Sequence, residues 1–470
     1  MVFLGSRGTF YIETFGCQMN ERDSETISAL LAQEGMEPSD DPGTADVIIL
    51  NTCAVRESAE AKVWSRLGKL HAMRSGDEPV FVLAGCMAQL PDTLLRLKRR
   101  VPFVKIVSGP GNIHRIPDLL QEARADRKAG LLTAVSPART GVTRDESTQI
   151  LPEGLPRKQI PGVSAFVTIM YGCDNFCSYC IVPYVRGPQV SRLPGDVIGE
   201  VRDLARRGYK EVTLLGQNVN AFGLDFGGER RETGPYGFAA LLKDLDRIEG
   251  LHRIRYFTSH PRDFTKEMVD AVRQCEKVCE HFHLPLQSGS DNILKVMNRG
   301  YSKDEYLDLA GHILDTVPDA SITTDIIVGF PGETEEDFQE TLDVVRRVRF
   351  DGAFTFIFSP RKGTAAAKMK GQVPKEEKSQ RLQRLVELQS GITLERNTEM
   401  VGKEVEVLIE ERDPKDPALW RGRTRTNKMV LAEAGPGVSP VGRMVNVEVR
   451  EAGVWYLKGP VRDSEELRSP

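Results

Sequence analysis

Several features of other protein classes are missing from this 470-residue chain. It contains no run of about 18 apolar residues, the length that a membrane-spanning helix needs, and its first residues lack a signal-peptide pattern. It also has no excess of one charge, since 63 Lys and Arg residues nearly balance 67 Asp and Glu residues. We therefore expect no membrane span and a cytoplasmic location, and we expect any nucleic-acid binding to use a local basic patch.

Disulfide bonds are also not expected, because they are rare in a reducing cytoplasm. The 8 cysteines are therefore candidates for metal binding, redox chemistry or core packing. The length exceeds that of one ordinary domain, and a hydrophobic content of 40% is enough to bury full cores. We expect two to four domains.

Strand and helix patterns alternate from residue 8 to residue 126. Such alternation is typical of an open parallel sheet with right-handed crossovers. The predicted strands are Thr9–Thr14, Asp46–Leu50 and Pro79–Ala84, and the predicted helices are Ser24–Glu34, Ser58–His71 and Pro91–Arg100. Residues 127–161 are basic and weakly periodic, so we interpret them as a linker.

A second alternating region covers residues 162–399 and predicts six strand–helix units, fewer than the eight that close a barrel. Its predicted strands are Ala165–Met170, Glu211–Leu215, Arg253–Phe257, Phe282–Leu286, Ile322–Val328 and Ala353–Phe358, and its predicted helices include Asp196–Arg207, Phe238–Ile248, Glu335–Arg347 and Lys375–Thr398. Residues 400–464 contain short alternating runs typical of a small all-β barrel. The predicted fold class is α/β, with an N-terminal open parallel sheet, a central partial (β/α)6 barrel and a C-terminal β-barrel.

Three cysteines lie close together directly after the first strand predicted for the central barrel. Cys173, Cys177 and Cys180 have the spacing C-x3-C-x2-C. A four-iron cluster normally takes four cysteines, so three leave one iron open to a substrate or cofactor. A zinc knuckle and incidental cysteines are the alternatives, but structural zinc takes four ligands, and no fourth Cys or nearby His follows in register. The spacing favours an iron–sulfur cluster.

Three further cysteines are far apart in sequence, but each comes just after a predicted strand. Cys17, Cys53 and Cys86 would therefore share one edge of the parallel sheet, where ligand sites gather. A helix pattern follows each of them, and helix N-termini favour a negatively charged cluster. Buried packing cysteines are the alternative, but three equivalent positions in successive units favour a second cluster with an open iron.

The last two cysteines are predicted to be packing residues. Cys275 and Cys279 are four residues apart on a predicted helical stretch, with no other ligand in register. Nearby, His281 and His283 fall on a predicted strand, and we interpret them as structural or as lining a site.

The C-x3-C-x2-C motif after the first barrel strand resembles the signature of the radical S-adenosylmethionine (SAM) superfamily. The resemblance implies that SAM binds the open iron and is cleaved by one electron to a 5′-deoxyadenosyl radical. It also places Tyr179 against the adenine of SAM. With the first cysteine set included, almost the whole chain resembles the methylthiotransferase family, and its C-terminal region resembles an RNA-binding TRAM domain. The motifs that carry this resemblance include GCQMN, NTCAVRE, GCMAQ, YGCDNFCSYCIVPYVRG, LLGQNVNAFG, HLPLQSGS and TDIIVGFPGETEEDF.

Membership of that family would imply two [4Fe-4S] clusters and two uses of SAM. One SAM would methylate a sulfur at the N-terminal cluster, and the radical from a second SAM would remove the hydrogen at carbon 2 of an adenine, which then takes up the methylthio group. The motifs NTCAVRE, CIVPYVRG and GQNVNAFG look closest to members that modify N6-prenylated adenosine in the tRNA anticodon loop. Members that modify an aspartate of ribosomal protein S12, or threonylcarbamoyl-adenosine in tRNA, are alternatives. An iron–sulfur electron carrier is the non-catalytic alternative.

Further SAM contacts are predicted at the carboxyl edge of the barrel, where cofactor sites lie in such folds. Gly216, Gln217 and Asn218 follow the second barrel strand, and we place Asp325 after the fifth. Turn or packing roles are the alternative for each. One position departs from the family pattern Arg-Gly-x-Glu-x-Ser-Arg, because Gln189 replaces the charged Glu with a neutral amide.

A basic stripe is predicted in the C-terminal region. Arg421, Arg423 and Arg425 alternate along a predicted strand, beside Trp420 and Lys428. Alternate residues share one face, and such a face can bind phosphates while the aromatic ring stacks on a base. A solvated strand face is the alternative. The expected partners are tRNA, an electron donor such as a flavodoxin or ferredoxin, and a sulfur or cluster donor, with no membrane.

Overall fold

The computed structural model describes residues 8–54, 57–73, 78–126, 130–136, 151–156, 162–226, 236–435 and 439–462. The chain forms two compact units. The first unit contains the described residues up to 156, together with 170–176 and 180–192. The second contains residues 162–169, 177–179 and the described residues from 193 onward. Most of the predicted linker, 127–129, 137–150 and 157–161, lies outside the described residues.

The first unit is built on a six-stranded parallel sheet. The strands, in their order across the sheet, are Glu37–Pro38, Thr9–Thr14, Val47–Thr52, Val80–Gly85, Val104–Ser108 and Leu132–Ala134. All six side chains of Val47–Thr52 are buried, as expected for a central strand covered on both faces. The predicted open parallel sheet is confirmed.

Helices cover both faces of this sheet. The helices are Gln18–Gln33, Glu57–Ala72, Pro91–Arg100 and Ile116–Ala125. Ile27 and Leu119 pack with Ile49 on one face, and Val63 and Leu97 pack on the other. Because both faces are covered, the carboxyl ends of the strands form the edge that is left for a site. The unit also contains the helix Val182–Arg186 and the antiparallel strands Met170–Tyr171 and Val190–Ser191.

The second unit begins with six parallel strands in a partial barrel. The strands, in order, are Ser164–Thr168, Glu211–Leu215, Arg253–Phe257, His281–His283, Ser321–Val328 and Gly352–Ile357. A parallel bridge between Ile254 and Val278 joins the two halves. The helices are Pro194–Arg206, Phe238–Asp246, Lys266–Gln274, Asp291–Val296, Lys303–Thr316, Glu335–Val348 and Lys375–Thr398. The predicted six-stranded partial barrel is confirmed.

A small β-barrel completes the second unit. Its strands, in sheet order, are Met444–Glu448, Glu404–Arg412, Trp420–Thr424, Met429–Glu433, Leu457–Pro460 and Glu451–Ala452. A bridge between Val447 and Val461 brings the first of these strands to the end of Leu457–Pro460. Val407, Val430 and Leu457 are buried in its core. Short 3-10 turns in the chain are Cys86–Gln89, Pro110–Arg115, Val219–Ala221, Pro261–Asp263 and Ala366–Lys368.

Some local predictions were wrong. The helical stretch predicted to carry Cys275 and Cys279 ends at Gln274. The amide of Cys279 instead donates to the carbonyl of Ile254, 2.9 Å away, because residues 277–279 pair with a barrel strand. Both cysteines are buried, as packing residues would be.

No helix in the described part of the chain combines the length and the apolar composition that a membrane-spanning segment needs.

Candidate active site

The three dispersed cysteines lie at the carboxyl ends of adjacent strands. Cys17 is the N-cap residue of the helix Gln18–Gln33, three residues beyond its strand, while Cys53 and Cys86 directly follow theirs. The direction of strand order reverses beside Thr9–Thr14, which has the later strand Glu37–Pro38 on one side and Val47–Thr52 on the other. Such a switch point is where open α/β sheets bind ligands. The predicted placement at strand ends agrees with the structure.

Glycines allow the cysteine loops to come close together. Gly16 has φ +138°, and a Cβ built on it would lie 2.7 Å from Cβ of Cys53. Gly85 has φ +90°, and a Cβ there would overlap the carbonyl oxygen of Thr52. A side chain at either position would push the loops apart, and positive φ also disfavours other residues. Glycine therefore precedes Cys17 and Cys86 because the cysteine loops approach each other closely at these two positions.

A buried arginine connects two of these thiols. Arg186 Nε donates to Cys86 Sγ at 3.2 Å, and its Nη2 donates to Asn20 Oδ1 and Asp23 Oδ2, each at 2.9 Å. The Cys17 thiol donates to the same Asn20 oxygen at 3.8 Å. The Arg186 side chain is 5% exposed and that of Asp23 is 4% exposed. The arginine therefore provides a fixed positive charge beside the cysteines.

Electrostatics hold Cys86 in its neutral form when no metal is bound. Burial raises the pKa of the Cys86 thiol to about 12, Arg186 opposes this, and negative charge on Cys53 or Cys17 adds to it. Metal ligation requires a thiolate. Loading a cluster would therefore release a proton from Cys86, and Arg186 would stabilise the thiolate that remains.

The donor set has the chemistry of an iron–sulfur cluster site. Among the described residues, no three Cys, His, Asp or Glu side chains are placed to hold one metal ion. A four-iron cluster takes soft thiolate ligands, and a nearby cation offsets its negative charge. Three cysteines beside the buried Arg186 provide both features. Cys17, Cys53 and Cys86 would hold the cluster.

The cysteines of the C-x3-C-x2-C motif belong to different units. Cys173 and Cys180 lie in the first unit, and the Cys173 amide donates to the Gly187 carbonyl at 3.2 Å. Cys177 lies in the second unit and is buried. Gln189, the position that departs from the family pattern, also lies in the first unit. Its backbone amide donates to Asp174 Oδ1 at 3.0 Å. Nothing in this arrangement explains the loss of the carboxylate.

A second buried arginine contacts Cys177. Arg299 Nη1 donates to Cys177 Sγ at 3.3 Å and to the Tyr179 hydroxyl at 3.4 Å, while its Nη2 donates to the Pro285 carbonyl. The Tyr179 ring packs edge-on against Phe330, with centroids 6.4 Å apart. The fixed ring of Tyr179 is compatible with its predicted contact to an adenine, which stays a prediction.

The residues predicted to contact SAM lie at or near the carboxyl edge of the barrel. The Gly216 amide donates to the Phe257 carbonyl, and Thr258 donates to the Gln217 carbonyl at 3.2 Å. Asn218 Nδ2 donates to Asp263 Oδ2 at 2.7 Å, but the buried Oδ1 of Asn218 accepts no hydrogen bond from the described part of the chain. That oxygen is therefore suited to accept from a ligand.

Asp325 was placed wrongly after the fifth strand, because it lies within Ser321–Val328. Its carboxylate is 3.6 Å from Nε2 of His283. His283 and His281 both contact the Thr323 hydroxyl, and burial lowers the pKa of His281 well below its ordinary value. The prediction that the two histidines sit on a strand is confirmed.

The residues of the basic stripe all have partners within the chain. Arg421 Nε donates to Asp413 Oδ2 at 2.5 Å, and Arg423 lies 3.6 Å from Glu410. Arg425, one residue beyond the strand Trp420–Thr424, pairs with both oxygens of Glu280. The Lys428 Nζ atom lies 2.7 Å from Asp351 Oδ1. The Trp420 ring is covered by the Arg412 guanidinium, which lies 5.1 Å from the ring centroid.

Sequence reasoning missed two arginines that attach the β-barrel to the partial barrel. Arg253 donates to the Arg423 carbonyl at 2.6 Å and to Glu406 at 2.8 Å. Arg255 pairs with Glu211 at 2.8 Å and donates to the carbonyls of residues 424 and 425. The run RIRYF contains the signal, because two arginines alternate along a strand that is otherwise apolar.

Family models match three parts of the chain. The Radical SAM superfamily matches residues 167–345, the Uncharacterized protein family UPF0004 matches residues 9–109, and the TRAM domain matches residues 398–461. The fold is similar to that of a radical S-adenosylmethionine methyltransferase, TsrM, from Kitasatospora setae with cobalamin and a [4Fe-4S] cluster bound. The TM-score is 0.54 at 16% identity, covering 77% of this chain and 74% of that one. The Radical SAM match, together with the relatives described next, identifies the chain as a radical SAM enzyme.

Curated relatives narrow this class. The chain is 47% identical over 459 residues to the tRNA-2-methylthio-N(6)-dimethylallyladenosine synthase of Moorella thermoacetica, covering 97% of this chain and 99% of the relative. It is also 47% identical to the protein of that name from Desulforamulus reducens, over 96% and 95% of the two chains. The chain belongs to the tRNA-2-methylthio-N(6)-dimethylallyladenosine synthase family, and the resemblance stated from the sequence is confirmed.

Proposed function

We propose that this enzyme transfers a methylthio group to carbon 2 of N6-dimethylallyladenosine in tRNA, using SAM and two [4Fe-4S] clusters. The observation that carries the proposal is the convergence of Cys17, Cys53 and Cys86 at the switch point of the first unit. A chain that also contains Cys173, Cys177 and Cys180 has two three-thiol sets, each of which leaves one iron open. The family relatives favour tRNA over ribosomal protein S12 as substrate.

When bound, the clusters supply the one-electron cleavage of SAM and a site that holds sulfur. The protein positions SAM and compensates the negative charge of the cluster thiolates. Arg299 donates to Cys177 and fixes Tyr179, which we assign to the SAM adenine. Asn218 is held by Asp263 and offers its free Oδ1 to a donor group of SAM. Gly216, Gln217 and Asp325 are proposed to line the same cofactor site.

We propose a domain organisation that follows the sequence boundaries. Residues 8–126 would form the methylthiotransferase domain, 162–399 the radical SAM domain and 400–464 the TRAM-like domain, with 127–161 as the linker. The ranges matched by the three family models support this division.

Product analysis tests the proposed function. Anaerobically reconstituted enzyme with SAM and a reductant is expected to add a methylthio group to tRNA that carries N6-dimethylallyladenosine. It should leave unmodified the same tRNA without the prenyl group, and ribosomal protein S12. Mass spectrometry of the digested tRNA and of S12 measures the products. Methylthiolation of S12 alone would contradict the proposal.

RNA binding is proposed for the exposed part of the basic stripe. Arg421 and Arg423 are only partly buried, at 25% and 37% exposure, while their partners Asp413 and Glu410 are 6% and 31% exposed. Replacing both with Ala should weaken tRNA binding and reduce its salt dependence, by about one unit of slope per lost phosphate contact. Affinity measured at several salt concentrations tests this.

The double variant leaves Arg425 in place, because loss of its pairing with Glu280 would disturb the attachment of the β-barrel. Arg346→Ala is the control, since Arg346 is an exposed arginine paired with Asp343 on a barrel helix. Equal tRNA affinity and salt slope in the double variant and the wild-type protein would rule out this role of the stripe.

The remaining partners follow from the chemistry. One-electron cleavage of SAM requires a low-potential donor, for which we propose a flavodoxin or ferredoxin, and the transferred sulfur requires a sulfur or cluster donor. A tRNA substrate favours a cytoplasmic location.

A further inference from the structure

The region around the N-terminal cysteines contains a charge arrangement that ligation alone does not require. Arg186, Asp23 and Asn20 are buried or nearly so, and they connect Cys86 with Cys17 through hydrogen bonds. Arg186 comes from a distant part of the sequence, 100 residues beyond Cys86. A charged side chain is rarely buried this deeply unless it compensates another charge.

The helix that carries Arg186 is held against the same cysteine loop. Ile181 and Val185 pack with Ala54 and Cys86 in a small apolar cluster. This helix, Val182–Arg186, begins two residues after Cys180. The packing therefore fixes the direction from which the guanidinium approaches Cys86 Sγ.

We infer that Arg186 is a positioning residue that compensates the charge of the N-terminal cluster and raises its reduction potential. This inference rests on the proposed function, because it requires Cys17, Cys53 and Cys86 to hold a cluster. Hydrogen bonds to cluster sulfurs and nearby net charge are among the factors that set such potentials. The Nε–H of Arg186 is one such donor, and Asp23 is the counter-charge that offsets part of its effect.

The two charges predict shifts of opposite sign. Removing the arginine takes away a donor and a positive charge, so the reduced cluster, which carries more negative charge, is destabilised and the potential falls. Removing the Asp23 carboxylate leaves the guanidinium uncompensated, so the potential rises. A residue that only supported the fold would not produce this pair of opposite shifts.

The test uses the full chain with Cys173, Cys177 and Cys180 replaced by Ala, so that any cluster signal comes from the N-terminal site. Into this parent we introduce Arg186→Gln, Arg186→Lys and Asp23→Asn. Iron and sulfide are measured first, and the midpoint potential is then obtained by redox titration followed by electron paramagnetic resonance. Relative to the parent, we expect a lower midpoint potential for Arg186→Gln and a higher one for Asp23→Asn. The potential of Arg186→Lys should lie nearer that of the parent.

Two results would overturn the inference. One is an Arg186→Gln variant with the parent's iron and sulfide that also titrates at the parent's potential. The other is an Asp23→Asn variant whose potential does not rise above that of the parent. If the Arg186→Gln variant loses its cluster, the Asp23→Asn measurement alone decides the test. A parent without iron and sulfide would instead contradict the proposed function, and the inference with it.

Discussion

Replacing Cys53 with Ala will halve the iron and sulfide of the anaerobically purified enzyme, from about eight of each per chain to about four. Cys53 is buried against the Cys17 loop, so closely that a Cβ built on Gly16 would lie 2.7 Å from Cβ of Cys53. With two thiolates left, the N-terminal cluster loses its attachment. Methylthio transfer should fall below detection, while SAM cleavage to 5′-deoxyadenosine continues, because Cys173, Cys177 and Cys180 are untouched.

The matched control is Cys275→Ala, since Cys275 is also buried but caps a helix in the other unit. This variant should keep about eight irons and eight sulfides per chain. Retention of the full iron and sulfide content by Cys53→Ala would show that Cys53 is a packing residue. Colorimetric iron and sulfide assays and chromatography of 5′-deoxyadenosine provide the measurements.

Replacing Arg255 with Met should destabilise the second unit by about 3–5 kcal/mol. The side chains of Arg255 and its partner Glu211 are 3% and 4% exposed. Methionine would leave the Glu211 carboxylate buried without its cation, and it would remove one donor each from the carbonyls of Thr424 and Arg425. The midpoint of urea unfolding, followed by circular dichroism, should fall accordingly.

Arg247→Met is the comparison for this prediction, because Arg247 forms an exposed ion pair with Asp244. Such surface pairs contribute about 0–1 kcal/mol. Similar urea midpoints for the two variants would show that the buried pair does not stabilise the attachment of the β-barrel.

The sequence was sufficient for the features that depend on local spacing. The Cys173, Cys177 and Cys180 motif is a local pattern, and the three Gly-Cys or Thr-Cys strand ends follow from the alternation of strands and helices. The helices Pro91–Arg100 and Lys375–Thr398 match their predicted bounds because a proline or charged residues mark their ends. In contrast, the helix after Cys17 begins at Gln18 and not at Ser24, since its polar first turn hides the apolar periodicity.

Features that depend on distant parts of the chain could not be predicted. Arg186 donates to Asn20 across 166 residues, and Arg255 donates to the Arg425 carbonyl across 170. No local pattern specifies such partners. The arginines of the basic stripe show the same limit, because alternation predicts that they share a face but gives no information about Glu280 or Asp351 as partners.

The β-barrel is attached at the amino ends of the partial-barrel strands. Glu211 and Arg253 are the first residues of their strands, and Glu280 and Asp351 directly precede theirs. The residues proposed to bind SAM lie toward the opposite ends, roughly 13 Å along a five-residue strand. Perturbations at the two ends should therefore combine independently, so that free-energy changes from paired substitutions add. The surface proposed to bind tRNA could thus be altered without altering the site proposed to bind SAM.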